Sequence, residues 1–213
     1  MKNRFLLLFS FALLAFPVAS HAASEVAPDM KAADEFITKA FGSYCDRHPT
    51  EGFVPDLMSD ERFEITYKYD YDTEDRVFPL FQMHCSHGAY NEALVYLTQD
   101  EDGNFRILSF ADPQPSYEYE DEKETKLKQP PKLAGMGSTL TLTNADFDPA
   151  TNTITSANRW RGLGDAYDSG TYVFSKGNFV LKKFVVDPIY EANLPESEAA
   201  ALAEKSFTLF SAE

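Results

Sequence analysis

The sequence predicts a mainly β protein made of antiparallel sheets, with a short N-terminal helix and a closing C-terminal helix. Two observations carry this. Short runs in which apolar and polar residues alternate recur along the chain, separated by clusters of Gly, Asp and Asn. The chain also holds 18 Phe, 11 Tyr and one Trp, large side chains that favour a pleated, half-buried surface and supply a core.

The elements follow in order. Apolar residues Met30, Ala33, Phe36, Ile37, Ala40 and Phe41 have helical spacing, with Asp29 as the expected N-cap and Gly42 as the stop. Phe63, Ile65, Tyr67 and Tyr69 alternate with Glu64, Thr66 and Lys68, which reads as a half-buried strand. Residues 77–85 form its partner, with Pro79 marking an edge or a bulge. Residues 92–98 and 105–110 are two more strands around the turn Asp100-Glu101-Asp102-Gly103-Asn104. The stretch 113–132 is charged and ends in Pro130-Pro131, so it reads as an exposed loop, with room for a short strand near 117–119. Strands resume at 139–143 and 153–157, with a turn starting at Asp146-Phe147-Asp148-Pro149. A hairpin joins 170–175 to 179–186 through Lys176-Gly177-Asn178, and the Ala, Leu and Phe of 197–210 suggest the closing helix. The organisation is a single β-rich domain over 23–213, either as a sandwich or as two lobes (45–112 and 133–190) joined by the loop 113–132.

The first 22 residues read as a cleavable export signal. Lys2 and Arg4 precede an apolar run over 5–16, Pro17 ends it, and Ser20-His21-Ala22 offers small residues for cleavage. The run is too short for a stable membrane span, and no cysteine follows it to carry a lipid anchor. The expected location is the periplasm or the cell exterior. Removing residues 1–22 takes away two basic residues and no acid, which leaves 17 Lys+Arg against 34 Asp+Glu, a net charge of −17. Such a chain repels nucleic acid and anionic lipid, and it attracts a cationic protein.

Cys45 and Cys85 are the only cysteines. In an oxidising compartment an even pair points to one disulfide closing a loop of about forty residues. Two other readings stand beside it: His84-Cys85-Ser86-His87 as a metal cluster with His48, or as a thiol nucleophile beside a histidine. Strand neighbours point to opposite faces, and no CxxC or HxxxH spacing supports zinc. The acidic runs Asp70-Tyr71-Asp72-Thr73-Glu74-Asp75 and Asp100-Glu101-Asp102-Gly103 do not fit a calcium loop and read as solvated turns. Neither a nucleophile elbow nor a phosphate-binding loop is present, and no catalytic, cofactor-binding or metal residues are assigned.

Arg159-Trp160-Arg161-Gly162-Leu163-Gly164-Asp165 is the most unusual stretch. Its glycines permit a tight backbone path, and Asp165 can pair with Arg161 or accept loop N–H groups. Arg161, Gly162, Gly164 and Asp165 are therefore the candidate residues of a loop that is either a rigid structural turn or faces a ligand.

The run from Phe147-Asp148 through Arg161-Gly162-Leu163-Gly164-Asp165 to Tyr172-Val173-Phe174 and Phe179-Val180-Leu181 resembles the bacterial family of exported proteins termed domain of unknown function 1176. Cys85-Ser86-His87-Gly88-Ala89-Tyr90-Asn91 resembles its middle region, so the likeness spans roughly 45–190 and is densest over 139–184. The family commonly places Cys after the Asp, paired with a later Cys; Ala166 stands there and no later Cys follows. The resemblance implies export and a compact domain, and it names no activity. The expected function is a non-enzymatic periplasmic binding or envelope-associated module. The alternative is a periplasmic hydrolase, or a thiol- or metal-dependent enzyme using His84, Cys85 and His87.

Overall fold

A computed structural model describes residues 28–47, 60–71, 74–199 and 205–212. The export signal and His48 lie outside the described residues. Among those described, no helix is long and apolar enough to cross a membrane.

Helix α1 (Pro28–Phe41) opens the described chain. It begins two residues earlier than expected, because Pro28 with its fixed φ takes the first helical position. Asp29 is therefore in the first turn rather than at the N-cap. Its carboxylate meets the positive end of the helix and pairs with Arg62 at 2.6 Å. Gly42, at φ +54°, ends the helix as expected.

Strands β1 (Glu61–Tyr67), β2 (Arg76–His87), β3 (Glu92–Gln99) and β4 (Phe105–Ile107) form an antiparallel meander. Pro79 pairs with Glu64 of β1, while the ladder to β3 begins only at Leu80, so the missing N–H falls at a local edge. Strand β5 (Phe110–Ser116) leaves this sheet and pairs with β6 (Lys132–Thr139) as a separate two-stranded ribbon. The expected loop 113–132 thus starts as a strand. Pro113 and Pro115 are tolerated because β5 carries a ladder on one side only. The bridge Tyr119–Leu127 is the remaining regular pairing within that loop.

The chain then returns to the first sheet with β7 (Thr141–Thr143), which pairs with β3, and builds a second sheet. That sheet consists of β8 (Asp146–Asp148), β9 (Thr153–Arg159), β10 (Tyr167–Ser175), β11 (Asn178–Asp187) and β12 (Phe207–Ser211), in the order β12-β11-β10-β9-β8. The expected closing helix is corrected here. Among the described residues of 197–210, only those of α2 (Glu196–Ala199) are helical, and Phe207, Thr208 and Phe210 pair with β11 instead. The free edge of β11 and the β-favouring Phe and Thr residues outweigh the Ala-rich run before them.

Two apolar clusters hold these layers. The first lies between the sheets and joins Ile65, Leu80, Leu94 and Tyr96 from the first to Phe147, Ile154, Tyr172, Leu181 and Phe184 from the second. The two halves therefore share one core. Each fully buried large aliphatic contributes about 1.5–3 kcal/mol. The second cluster lies on the outer face of the first sheet, where Ala33 and Ile37 of α1 cover Phe81, Met83, Val95 and Leu97. Register shifts at four places adjust the pattern, and two of them shape the core and the site. Lys182 is the extra residue opposite the Thr171–Tyr172 step, which lets both Phe179/Leu181 and Phe184/Val186 face inward. Cys85 is the extra residue of β2, opposite the Leu94–Ala93 step.

Candidate functional site

The two stretches that stand out in the sequence meet in space. The segment after β2, with Tyr90 and Asn91, packs against the loop between β9 and β10. Asn91 Nδ2 donates to the Arg159 carbonyl at 2.7 Å and to Asn158 Oδ1 at 3.2 Å. Its own Oδ1 accepts from Asn144 Nδ2 at 2.8 Å and from the Arg159 N–H at 3.2 Å. Every hydrogen-bonding position of that amide is used. Asn144, at φ +42°, adds a bond from Nδ2 to the Ala157 carbonyl and accepts the Glu92 N–H, both at 2.8 Å. Tyr90 lies under Gly162, where a Cβ would meet the ring at 3.3 Å. A side chain at Gly162 would therefore make the Tyr90 ring give by a few tenths of an ångström. Gly164, at φ +71°, is required for its backbone path.

Arg161 and Asp165 close the loop on itself. Arg161 Nε donates to Asp165 Oδ1 at 2.7 Å, and Nη2 meets Oδ2 in a second contact. Asp165 also accepts the Ala192 N–H at 3.0 Å, and Arg161 Nη1 donates to Asn193 Oδ1 at 3.0 Å. The guanidinium stands 4.8 Å from the centre of the Tyr190 ring. The Arg161 hydrogen bonds, aided by the Ala192 N–H, hold the Asp165 carboxyl below its usual range. These polar groups face one another rather than an open cavity. Trp160 is also engaged: it stacks on Tyr117 at 5.5 Å and donates Nε1 to Asp168 at 2.7 Å. Arg161, Gly162, Gly164 and Asp165 form a clamp that ties the loop to 190–193, and Ala166, the next residue, is fully buried.

Beneath the clamp lies a strained carboxyl. Glu191 is 5% exposed, and neither of its oxygens meets a partner outside its own residue. Burial, then the nearby Asp187 and Asp165 charges, push it up to about 6. Burial raises Asp187 as well. The sign follows directly. Below the unfolded value, near 4.5, Glu191 is neutral in both states and costs nothing. Between there and about 6 the unfolded chain ionises first, so stability falls as pH rises. Glu191→Gln is expected to raise stability by about 1 kcal/mol at neutral pH and to change it little near pH 4. Urea midpoints of both proteins across pH 4–8 check this; parallel profiles would sink it.

The His84-Cys85-Ser86-His87 stretch is rearranged by the bulge. Residues three apart in a regular strand face opposite sides. The extra residue Cys85 brings His84 and His87 onto one face, with ring centres 5.9 Å apart. His84 Nδ1 contacts Glu92 Oε1 at 2.6 Å. Cys85 is bonded to Cys45, as the even cysteine count suggests, and it is fully buried. The thiol-nucleophile reading is therefore corrected, because the sulfur has no thiol to offer. Among the described residues no group of three or more His, Cys, Asp or Glu is placed to hold a metal ion.

The chain matches no family model, no curated protein and no solved structure.

At the opposite end of the strands, three hairpin turns enclose an open groove of about 1090 Å³. It lies between the β1–β2, β3–β4 and β10–β11 connections. Glu74, Asp75, Asp100, Glu101 and Asp102 line it against Arg76, Arg106 and Lys176. Lys176 is paired with Asp70 at 2.6 Å, and the Arg76 guanidinium lies 4.8 Å from the Tyr69 ring centre. Asp100 accepts the Asn104 N–H at 2.8 Å, and this bond leads those that hold its carboxyl below the usual range. Asp100 thus carries its negative charge into mildly acidic solution. Tyr67 and Tyr69 form one wall, edge to face at 5.6 Å. Sequence reading found all three turns but not the groove, because they come together only once the two sheets pack.

Proposed function

We propose that this protein is an exported, non-enzymatic binding module that receives a cationic segment of a partner protein in the groove between its three hairpin turns. The observation that carries the reading is the composition of that groove: five carboxylates and two tyrosines, with the basic residues partly engaged by neighbouring acids and aromatic rings. A Lys or Arg side chain entering there finds carboxylates for its charge and tyrosine faces for its stem. The overall acidity steers such a partner from a distance. The signal-like first 22 residues and the disulfide support export, and the resemblance to the domain of unknown function 1176 family agrees with it. The clamp around Arg161 and Asp165 belongs to this reading as the device that fixes the far end of the fold.

The test is a titration with lysozyme and with a Lys/Arg-rich peptide at about 50 mM and about 500 mM salt, where screening differs about threefold in length. Binding at low salt that weakens at least tenfold at high salt is expected. A Glu74→Lys, Glu101→Lys, Asp102→Lys variant is expected to lose it while melting like the parent. No binding of either probe at low salt overturns the reading.

A further inference from the structure

Two buried ring nitrogens at the bulge of β2 have no partner. Nε2 of His84 and Nδ1 of His87 are both shielded from solvent, and neither meets a hydrogen-bonding group. They belong to adjacent rings, 5.9 Å apart between centres and tilted by 34°. Glu92 decides what the first of them offers. Its carboxylate lies 2.6 Å from His84 Nδ1, and a carboxylate only accepts. In the neutral ring the proton therefore sits on Nδ1, and Nε2 keeps a lone pair. The His84 and Glu92 side chains are only 10% and 12% exposed, so water has little access to that contact. Glu92 is itself held in place, because its N–H donates to Asn144 Oδ1 at 2.8 Å. Buried polar groups are normally paired, so two unpaired nitrogens on adjacent rings point to a ligand.

We infer that His84 and His87 bind one transition-metal ion of the Zn2+ or Cu2+ class through these two nitrogens. The spacing suits it. An ion about 2.0–2.1 Å from one nitrogen of each ring sets the ring centres about 5–6 Å apart. The contact from Nδ1 to Glu92 is the outer bond that ligating imidazoles usually make; it fixes the ring and makes Nε2 more basic. Imidazole suits Zn2+ and Cu2+, whereas Mg2+ and Ca2+ prefer oxygen ligands. The bulge creates the pair, since without the extra residue Cys85 the two histidines would stand on opposite faces of β2. The disulfide takes the Cys85 sulfur out of the competition and anchors the bulge to Cys45. Two side chains are all that the described residues bring to the ion, in keeping with the lack of a three-residue group among them, so water fills the other positions. His87 is half-buried, which gives the ion a way in. The inference does not rest on the acidic groove, which lies at the other end of the strands.

Titration calorimetry of the metal-free protein, carrying no polyhistidine tag, tests this with Zn2+ and Cu2+ as probes. The expected result is one ion per chain, bound as well in about 5 mM Mg2+ as without it, because imidazole does not hold Mg2+. Bound Cu2+ is expected to show couplings to two imidazole nitrogens in its electron paramagnetic resonance spectrum. His87→Gln is expected to weaken binding more than about tenfold, the least that losing even an outer partner of a ligand costs. At a half-buried position it should leave the melting temperature of the metal-free protein unchanged. His84→Gln is expected to weaken binding likewise. No bound ion, an ion displaced by Mg2+, or a His87→Gln variant that binds like the parent each overturns the inference. None of these outcomes bears on lysozyme binding at the groove.

Discussion

Replacing Arg47 with alanine is expected to remove about 3–5 kcal/mol of stability. The Arg47 side chain is 4% exposed and holds three partners from three parts of the chain. Its Nε donates to Asp34 of α1 at 2.8 Å, its Nη2 meets Asp60 at 2.5 Å, and its Nη1 donates to the His84 carbonyl. The other oxygen of Asp60 accepts the His84 N–H at 2.8 Å. One guanidinium thus joins the helix, the entry to β1 and the bulge of β2. Without it, two carboxylates face each other and a strand carbonyl loses its donor, which is why breaking such a pair costs more than the pair is worth. Arg47→Lys keeps the charge but lacks the planar fork, so it should recover only part of the loss. Urea midpoints at constant slope measure both variants. A loss below about 1 kcal/mol for Arg47→Ala would show that the network is a surface ornament.

Removing the Cys45–Cys85 bond is expected to cost about 3–4 kcal/mol, from the loop entropy it takes out of the unfolded chain over a sequence separation of 40. Both sulfurs are inside, with Cys45 5% and Cys85 0% exposed, so Ala at both positions leaves little polar residue behind. Thiol titration should find no free thiol in the native protein and two after reduction in denaturant. A double Cys→Ala variant with an unchanged urea midpoint would refute the estimate. Because Arg47 and the disulfide anchor the same junction, combining the two variants should fall short of the sum of their effects.

Much of the architecture was legible in the sequence where the signal is local. The alternation of Phe63, Ile65 and Tyr67, the spacing of Ala33 and Ile37, and the turn at Asp100–Asn104 each report a period or a turn chemistry that tertiary packing did not override. What escaped was non-local or non-periodic. β6 contains two glycines and buries nothing, so no pattern marks it as a strand. β12 follows an Ala-rich run, and its partner β11 lies about twenty residues earlier. The meeting of Asn91 with Arg159 spans 68 residues, and no single-sequence rule pairs two such stretches. The candidate loop was located by its odd composition, yet only geometry distinguishes a clamp from a ligand cradle. Arg47 carried no signal, as an arginine two residues after a cysteine is ordinary until its three partners are seen.

The two apolar clusters differ in how much chain each one needs. The helix-side cluster draws only on residues between Met30 and Ile107, and the disulfide lies within it. The inter-sheet cluster needs side chains from Phe63 to Phe210. A chain that emerges N-terminus first can therefore assemble the helix, the meander and the crosslink while its second half is still arriving. The inner faces of β1, β2 and β3 stay uncovered until β10 and β11 arrive. That interval, rather than the finished fold, is when this protein most needs a holdase.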